Sequence, residues 1–403
     1  MENIIDNKYD YIKKFEKLGF GMFVHFGLFS LIEEGEWIEY IKNIDRNEYA
    51  KYITKFNPVK NWAKNIVKTA KLAGCKYISI TTRHHEGFSL FDTKGLSDFD
   101  APHSKAKRDV LREFVEACRD GGIMPIFYHT LVDWHNPDYN DNFDKYLDYL
   151  YDSVEILCTE YGEIGGLWFD GTWDKKNSDW KLDRLYNMIR SHQPNAMIIN
   201  NTGLSALGVV CHPEIDSVTF ERGKPRFADI SDRYRAGEMC QVLNEHWGYA
   251  KYDINYKSIN ELVENLVDCR KCNCNFLLNV GPMGNGVLTN IDKGIFEQIG
   301  KWIKINKNFI YDARSADVKS EGADILYDGK YYYAIIKGVT MHADPNVQLS
   351  DDEVKYFTID GNVKDICWLD NGEKITLTDK GYCVDPFRYH ASLSLRVAKF
   401  ELA

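Results

Sequence analysis

Residues 61–87 read NWAKNIVKTAKLAGCKYISITTRHHEG, and this stretch decides the fold. Its first half repeats apolar residues every three or four positions and stops at Gly74, the pattern of an amphipathic helix with a glycine end. Its second half, KYISITT from Lys76, is a short and mostly apolar run, as expected of a strand buried on both faces. Arg83, His84, His85 and Glu86 follow at once, so polar residues gather where the strand stops.

The same unit recurs along the chain. Further strands are predicted at GMFVHFG from Gly21, MPIFYHT from Met124, GLWFDG from Gly166 and AMIINN from Ala196. SVTFE from Ser217, CQVLNE from Cys240 and NFLLNVGP from Asn275 complete the set. Helical periodicity separates most of them, in RDVLREFVEACRDGG, FDKYLDYLYDSVEILCTEYG, SINELVENLVDC and NIDKGIFEQIGKWIKI, with no helix evident between Asn201 and Ser217. Repeated strand–helix alternation implies a (β/α)₈-like barrel or a doubly wound sheet. No GxGxxG or GxxxxGK[ST] follows any strand, which removes the usual signature of a nucleotide fold. Instead His25, His84, His85, Tyr128, Asp170, Asn200, Asn201 and Glu221 sit at the carboxyl ends of different strands, where a barrel places its site. After about residue 311 the pattern changes to alternating apolar residues around Asp-Gly and Asn-Gly turns, as in ILYDGKYYYAIIKG. The expected organisation is a catalytic barrel over 1–310 and a small antiparallel β-sandwich over 311–403.

Composition narrows the function. The chain has 403 residues and a formal net charge of -10 without a dense Lys/Arg cluster, which argues against a nucleic-acid partner. No run approaches the length of a membrane span and no basic, apolar leader is visible, so no membrane association and a cytoplasmic location are expected. Ten cysteines in a chain of this length do not make a disulfide framework. The three in CRKCNC (269–274) lack a second pair to close a tetrahedron, so no zinc and no other metal is assigned.

The chemistry concentrates in a few places. In WFDG, Asp170 ends an apolar strand, where a carboxylate is costly without a partner or a task, and Gly171 lets the chain turn away. Asp170 then reads as a nucleophile or as the cap of the next helix. The imidazoles of His25, His84 and His85 can exchange hydrogen bonds with sugar hydroxyls; for the adjacent His84 and His85, metal binding and a structural role are the rival readings, and without an HxH or HExxH pattern the metal spacing is poor. Glu36 and Trp37 in GEWIEY pair a carboxylate with a flat apolar face, a combination that suits a deoxy-sugar, although a lone loop tryptophan more often serves packing. Glu221 and Glu238 compete for the acid/base role, with strand-end placement favouring Glu221 and the adjacent Arg222 opposing a raised pKa if it points the same way.

Taken together, FGMFVHFGLFS (20–30), GEWIEY (35–40), CKYISITTRHHEGFSLFDT (75–93), RDVLREFVEACRDGGIMPIFYHTLVDWHNP (108–137), EYGEIGGLWFDGTW (160–173), DSVTFERG (216–223), EMCQVLNEHWGY (238–249) and NFLLNVGPMGNGVL (275–288) resemble the α-L-fucosidases of glycoside hydrolase family 29. The resemblance implies a retaining, exo-acting hydrolase of terminal α-L-fucose on oligosaccharides or glycoconjugates, with no metal and no organic cofactor. It implies Asp170 as nucleophile and a fucose pocket lined by His25, Glu36, Trp37, His84, His85, Tyr128 and Trp168, with Trp247 as an aromatic against the sugar. The D-x-x-T-x-E spacing at 216–221 favours Glu221 as acid/base, with Glu238 in reserve. Some family members carry an arginine after the fifth strand; here IINNTGLS has none, which leaves Asn201 or a residue from elsewhere for that contact. A non-catalytic fucose-binding protein on the same barrel is the alternative reading. A metal-dependent barrel hydrolase is a third, and no ligand spacing supports it.

Overall fold

The computed structural model describes residues 7–341 and 354–403; the first six residues, on which the reading of the leader partly rests, lie outside it. Eight parallel strands close into a barrel in chain order: β1 (Phe20–Val24), β2 (Tyr77–Arg83), β3 (Met124–Thr130), β4 (Gly166–Asp170), β5 (Met197–Asn201), β6 (Ser217–Thr219), β7 (Ala236–Gln241) and β8 (Cys274–Val280). β1 pairs with both β2 and β8, which closes the ring.

The outer layer of helices follows the predicted periodicity. Helices run over Trp62–Ala73, Val110–Gly121, Phe143–Thr159, Ile259–Lys271 and Asn290–Ile305. Asp109, Ser258 and Thr289 cap three of them through their side chains, each satisfying a backbone N–H that the helix start leaves unpaired. A further helix, Leu182–His192, precedes β5. Loops replace the helices between β5 and β6 and between β6 and β7. β6 is correspondingly short and meets β5 in register only at Ile199 and Ser217.

The seventh strand covers AGEMCQ, four residues upstream of the predicted start at Cys240. Gly237 and Glu238 hide it from an apolar-run reading. Gly237 is needed because a Cβ there would lie 2.5 Å from Cys274 Sγ on β8. Glu238 is tolerated because its carboxylate finds partners inside the barrel, as described below.

The barrel interior is packed rather than open. Phe23, Ile126, Tyr128, Trp168, Met197, Ile199, Cys240 and Leu277 point inward with Tyr77, and Ile12 and Phe15 of the helix Asp10–Glu16 join this cluster. The Tyr77 ring occupies the space that a side chain at position 21 would need, since a Cβ on Gly21 would lie 2.4 Å from it. The pocket above is therefore floored by rings.

After the helix ending at Ile305 the chain enters antiparallel sheets. Five strands order as Val363–Trp368, Leu395–Leu402, Tyr332–Lys337, Asp324–Tyr327 and Arg314–Ser315. Lys355–Phe357, Gly381–Val384 and Leu377–Thr378 form a second sheet. Ile336, Trp368 and Phe400 of the first meet Phe357, Tyr382 and Val384 of the second in a shared core. Trp302 Nε1 donates to Leu395 O at 3.0 Å and ties a barrel helix to these sheets. Among the described residues, no helix is long and apolar enough to cross a membrane.

Candidate active site

Strand alternation builds the site. Residues two apart face the same way, so the inward series Phe23, Ile126, Trp168, Ile199 and Leu277 continues upward to His25, Tyr128, Asp170, Asn201 and Asn279. Thr219 leads to Glu221 by the same step. These side chains converge on a cavity of about 580 Å³ whose wall includes His25, Glu36, Trp37, His84, His85, Tyr128, Trp168, Asp170, Asn201, Glu221 and Trp247. Eleven of the twelve residues expected from sequence thus meet in one place.

Asp170 stands at the centre. Its Oδ1 accepts from Trp173 Nε1 at 3.0 Å and from Asn201 Nδ2 at 3.2 Å. Its Oδ2 accepts from Tyr128 Oη at 3.1 Å and lies 3.6 Å from His85 Nε2. Every hydrogen-bonding neighbour donates, which suits an acceptor-only carboxylate. Gly171 has φ +115°, and a Cβ there would lie 2.6 Å from Val132 Cγ2, so glycine is what allows the chain to leave the strand at that point.

Asn201 links Asp170 to Glu221. The amide Nδ2 also donates to Glu221 Oε2 at 2.7 Å, while Thr219 Oγ1 donates to its Oδ1 at 2.9 Å and fixes which way the amide faces. Two carboxylate oxygens that share one nitrogen can be no farther apart than the two bonds laid end to end, about 5.9 Å; retaining glycosidases place their carboxyls about 5–5.5 Å apart and inverting ones at least about 6.5 Å. Burial, then the nearby charge of Asp170, pushes Glu221 up to about 7. Arg222 turns to Glu245, with Nη2 at 2.7 Å from Oε2, so the expected opposition from its charge is a minor influence.

The imidazoles are neutral acceptors and donors. His25 Nδ1 lies 2.7 Å from Asn279 Oδ1, and that amide is oriented by donating Nδ2 to Trp247 O at 2.7 Å. Nδ1 therefore carries the proton and Nε2 is left as an acceptor. Burial lowers His25 to about 3, and lowers His84 and His85 as well. Among the described residues, His84 Nδ1 has no hydrogen-bond partner. His85 Nδ1 is 2.6 Å from Thr130 Oγ1. Glu36 Oε2 accepts from the backbone N–H of Trp247 at 3.1 Å and of Gly248 at 2.8 Å, which holds the Trp247 ring beside His25 with centroids 5.1 Å apart.

Behind this wall Glu86 acts as an anchor. Its two oxygens accept from the backbone N–H groups of Leu28 and Phe29 at 2.9 and 3.2 Å, and from the Tyr49 hydroxyl. Phe29 in turn packs edge-on to His84 with centroids 5.6 Å apart.

Glu238 is placed differently from the expectation. It lies one layer below the pocket, where Trp168 Nε1 donates to Oε1 at 2.9 Å and Tyr77 Oη to Oε2 at 2.5 Å. It is fully buried, both oxygens are occupied, and it does not line the cavity. Burial raises it to about 7, as it raises Glu221, but with no route to a substrate. The reading of Glu238 as a sugar contact or reserve acid fails on this placement.

Sequence reasoning missed Trp173, the indole donor to Asp170, whose only signal is its position three residues after Asp170 in the quoted GTW. It also missed the mouth of the cavity, formed by Lys176, Leu204, Ser205, Arg222 and Glu245. Lys176 and Arg222 are the cations present where the expected arginine is lacking. The cysteines of 269–274 point to protein atoms: Cys269 Sγ lies 3.7 Å from Met239 Sδ, and Cys272 and Cys274 approach the carbonyls of Pro225 and Arg226 at 3.5 and 3.4 Å.

A closed parallel barrel with a pocket at the carboxyl ends of its strands, and two carboxylates across it, defines a barrel glycoside hydrolase. The comparisons give the family. The profile of the Alpha-L-fucosidase family matches residues 3–308. An α-L-fucosidase isoenzyme of Paenibacillus thiaminolyticus superposes with a TM-score of 0.83 at 31% identity, over 98% of this chain and 99% of that one. A family 29 α-L-fucosidase of Bacteroides thetaiotaomicron, solved as a trapped covalent intermediate with 2-fluoro-fucosyl fluoride, superposes with a TM-score of 0.81 at 25% identity over 98% and 96% of the two chains. The plasma α-L-fucosidase of Homo sapiens is 26% identical over 409 aligned positions, covering 88% of this chain and 82% of that protein. This chain belongs to the α-L-fucosidase family, a family of retaining glycoside hydrolases.

Proposed function

We propose that this protein removes terminal α-L-fucose from fucosylated oligosaccharides or glycoconjugates by double displacement, with Asp170 as nucleophile and Glu221 as general acid and base. The observation that carries the reading is the single amide, Asn201 Nδ2, shared by the two carboxylates inside one pocket. A floor of rings beneath the pocket supports an exo mode, because only the end of a glycan fits a blind hollow. The trapped covalent intermediate of the Bacteroides enzyme supports the double displacement.

In the first step an Asp170 oxygen attacks the anomeric carbon while Glu221 gives its proton to the glycosidic oxygen. The carbon–oxygen bond to the leaving group breaks, the alcohol departs, and an ester forms. Esterification removes the Asp170 charge, which after burial is the largest cause that raises Glu221. Glu221 then holds its proton less tightly, which suits it to take one from water as the water attacks the same carbon. Fucose leaves with its configuration retained, Asp170 is restored as a carboxylate, and Glu221 is protonated again. His25 Nε2 and Glu36 offer acceptors to the sugar hydroxyls, and the Trp37 and Trp247 faces offer apolar surface to its methyl-bearing side.

The test follows the first-formed anomer of fucose from an aryl α-L-fucoside by NMR, for the wild type and for Asp170→Asn. The α anomer from the wild type, with turnover lost in the variant, is expected. Initial release of the β anomer, or an active Asp170→Asn, contradicts the proposal.

A further inference from the structure

We propose that the Arg222–Glu245 ion pair reads the hydroxyls of the sugar that leaves, so the cavity mouth selects fucosylated saccharides over simple aryl or alkyl fucosides. The inference rests on Glu221 being the acid. A proton donor must lie within hydrogen-bond reach of the glycosidic oxygen, so the leaving group occupies the space beside Glu221.

Three features meet there. Arg222 follows Glu221 directly, in a left-handed conformation with φ 52° that is uncommon for a side chain of its size. Its backbone N–H donates to Cys240 O at 2.8 Å, which fixes the turn. Its guanidinium reaches Glu245 with Nη2 at 2.7 Å from Oε2 and Nη1 at 3.4 Å from the Glu245 carbonyl. The third feature is the loop after Asn201, where Leu204 is 65% exposed at the cavity mouth. Gly208 N donates to Thr219 O at 2.8 Å and ties this loop to the strand that carries Glu221.

The chemistry points to a sugar. A half-exposed ion pair offers N–H donors and a carboxylate acceptor side by side, and two adjacent hydroxyls can satisfy both at once. Leu204 gives the ring a single aliphatic surface. Of the large rings that line the cavity, Trp173 also borders this loop, since a Cβ on Gly203 would lie 3.2 Å from its Cδ1. An aryl leaving group has no hydroxyls with which to engage the ion pair, whereas a neutral hexose or N-acetylhexosamine with a free vicinal hydroxyl pair finds donors, an acceptor and an apolar contact.

The experiment compares kcat/KM for a fucosyl disaccharide and for 4-nitrophenyl α-L-fucoside in wild type, Glu245→Gln and Arg222→Gln, at pH 5.5. At this pH Glu221 is protonated in the wild type, and removing the Arg222 charge, which lowers its pKa, only strengthens its hold on the proton. The disaccharide-to-aryl ratio is expected to fall about 10- to 100-fold in either variant, the range for losing charge-assisted hydrogen bonds. An unchanged ratio overturns the proposal, whether both activities fall together or neither falls. Glu221→Gln is assayed alongside. If it retains disaccharide turnover, the assignment of the acid fails; if it does not and the ratio is unchanged, the subsite alone fails.

Discussion

Replacing Glu221 by Gln removes one titrating group without changing the shape of the pocket. The amide oxygen can still accept from Asn201, so the neutral form of Glu221 is closely imitated. In the wild type this carboxyl is raised from 4.5 to about 7 by burial and by Asp170. The folded protein therefore binds a proton here more tightly than the unfolded chain. Below pH 4.5 both states are protonated and the group is neutral to stability. Between pH 4.5 and about 7 the unfolded chain ionises first, and stability falls; above about 7 the loss is complete. At about 1.4 kcal/mol per pH unit the loss is on the order of 3 kcal/mol. Glu221→Gln should match the wild type in thermal unfolding near pH 4.5, exceed it progressively up to about pH 7 and keep that margin to pH 8. The same variant should lose about 10²- to 10⁴-fold in kcat/KM on substrates with poor leaving groups. The alkaline limb of the wild-type profile, expected near pH 7 for the free enzyme, should vanish. A variant that keeps this limb, or that gains no stability at pH 8 relative to pH 4.5, refutes the reasoning.

Other outcomes follow from the same geometry. Glu238→Ala leaves Tyr77 Oη and Trp168 Nε1 without an acceptor and should destabilise the fold by about 2–4 kcal/mol in urea unfolding, while the limb near pH 7 persists in whatever protein folds. Glu86→Ala strands the N–H groups of Leu28 and Phe29 and should cost about 2–4 kcal/mol, with KM rising through the loosened Phe29–His84 contact. Asp170→Gly should lose about 10⁴-fold or more of its turnover and recover part of it with azide, giving fucosyl azide of inverted configuration by NMR.

The legibility of the sequence varied with how each residue is held. Strands with enough apolar residues on one face or the other, Leu167, Trp168 and Phe169 in GLWFDG and the outward Phe276, Leu278 and Val280 in NFLLNVGP, could be read together with the polar side chain that ends them. The seventh strand escaped because its inward residue is a buried carboxylate, and burial of a charge is decided by partners on other strands, Tyr77 and Trp168. The same cause made Glu238 resemble an acid/base candidate. Both glutamates are raised to about 7, and only depth within the barrel separates them. The mouth was hidden for a different reason. Residues 202–216 and 220–235 carry no helix, so no periodicity places Leu204, and Arg222 meets Glu245 across 23 positions of chain.

Between the two steps one side chain carries the sugar as an ester. Reaction with 2-fluoro-fucosyl fluoride, followed by proteolysis and peptide mass spectrometry, reads this directly. One fluorofucosyl group on the peptide containing Asp170, absent in Asp170→Asn, is the predicted result. Label on any other carboxylate, or turnover with no trapped ester in an otherwise active protein, contradicts it.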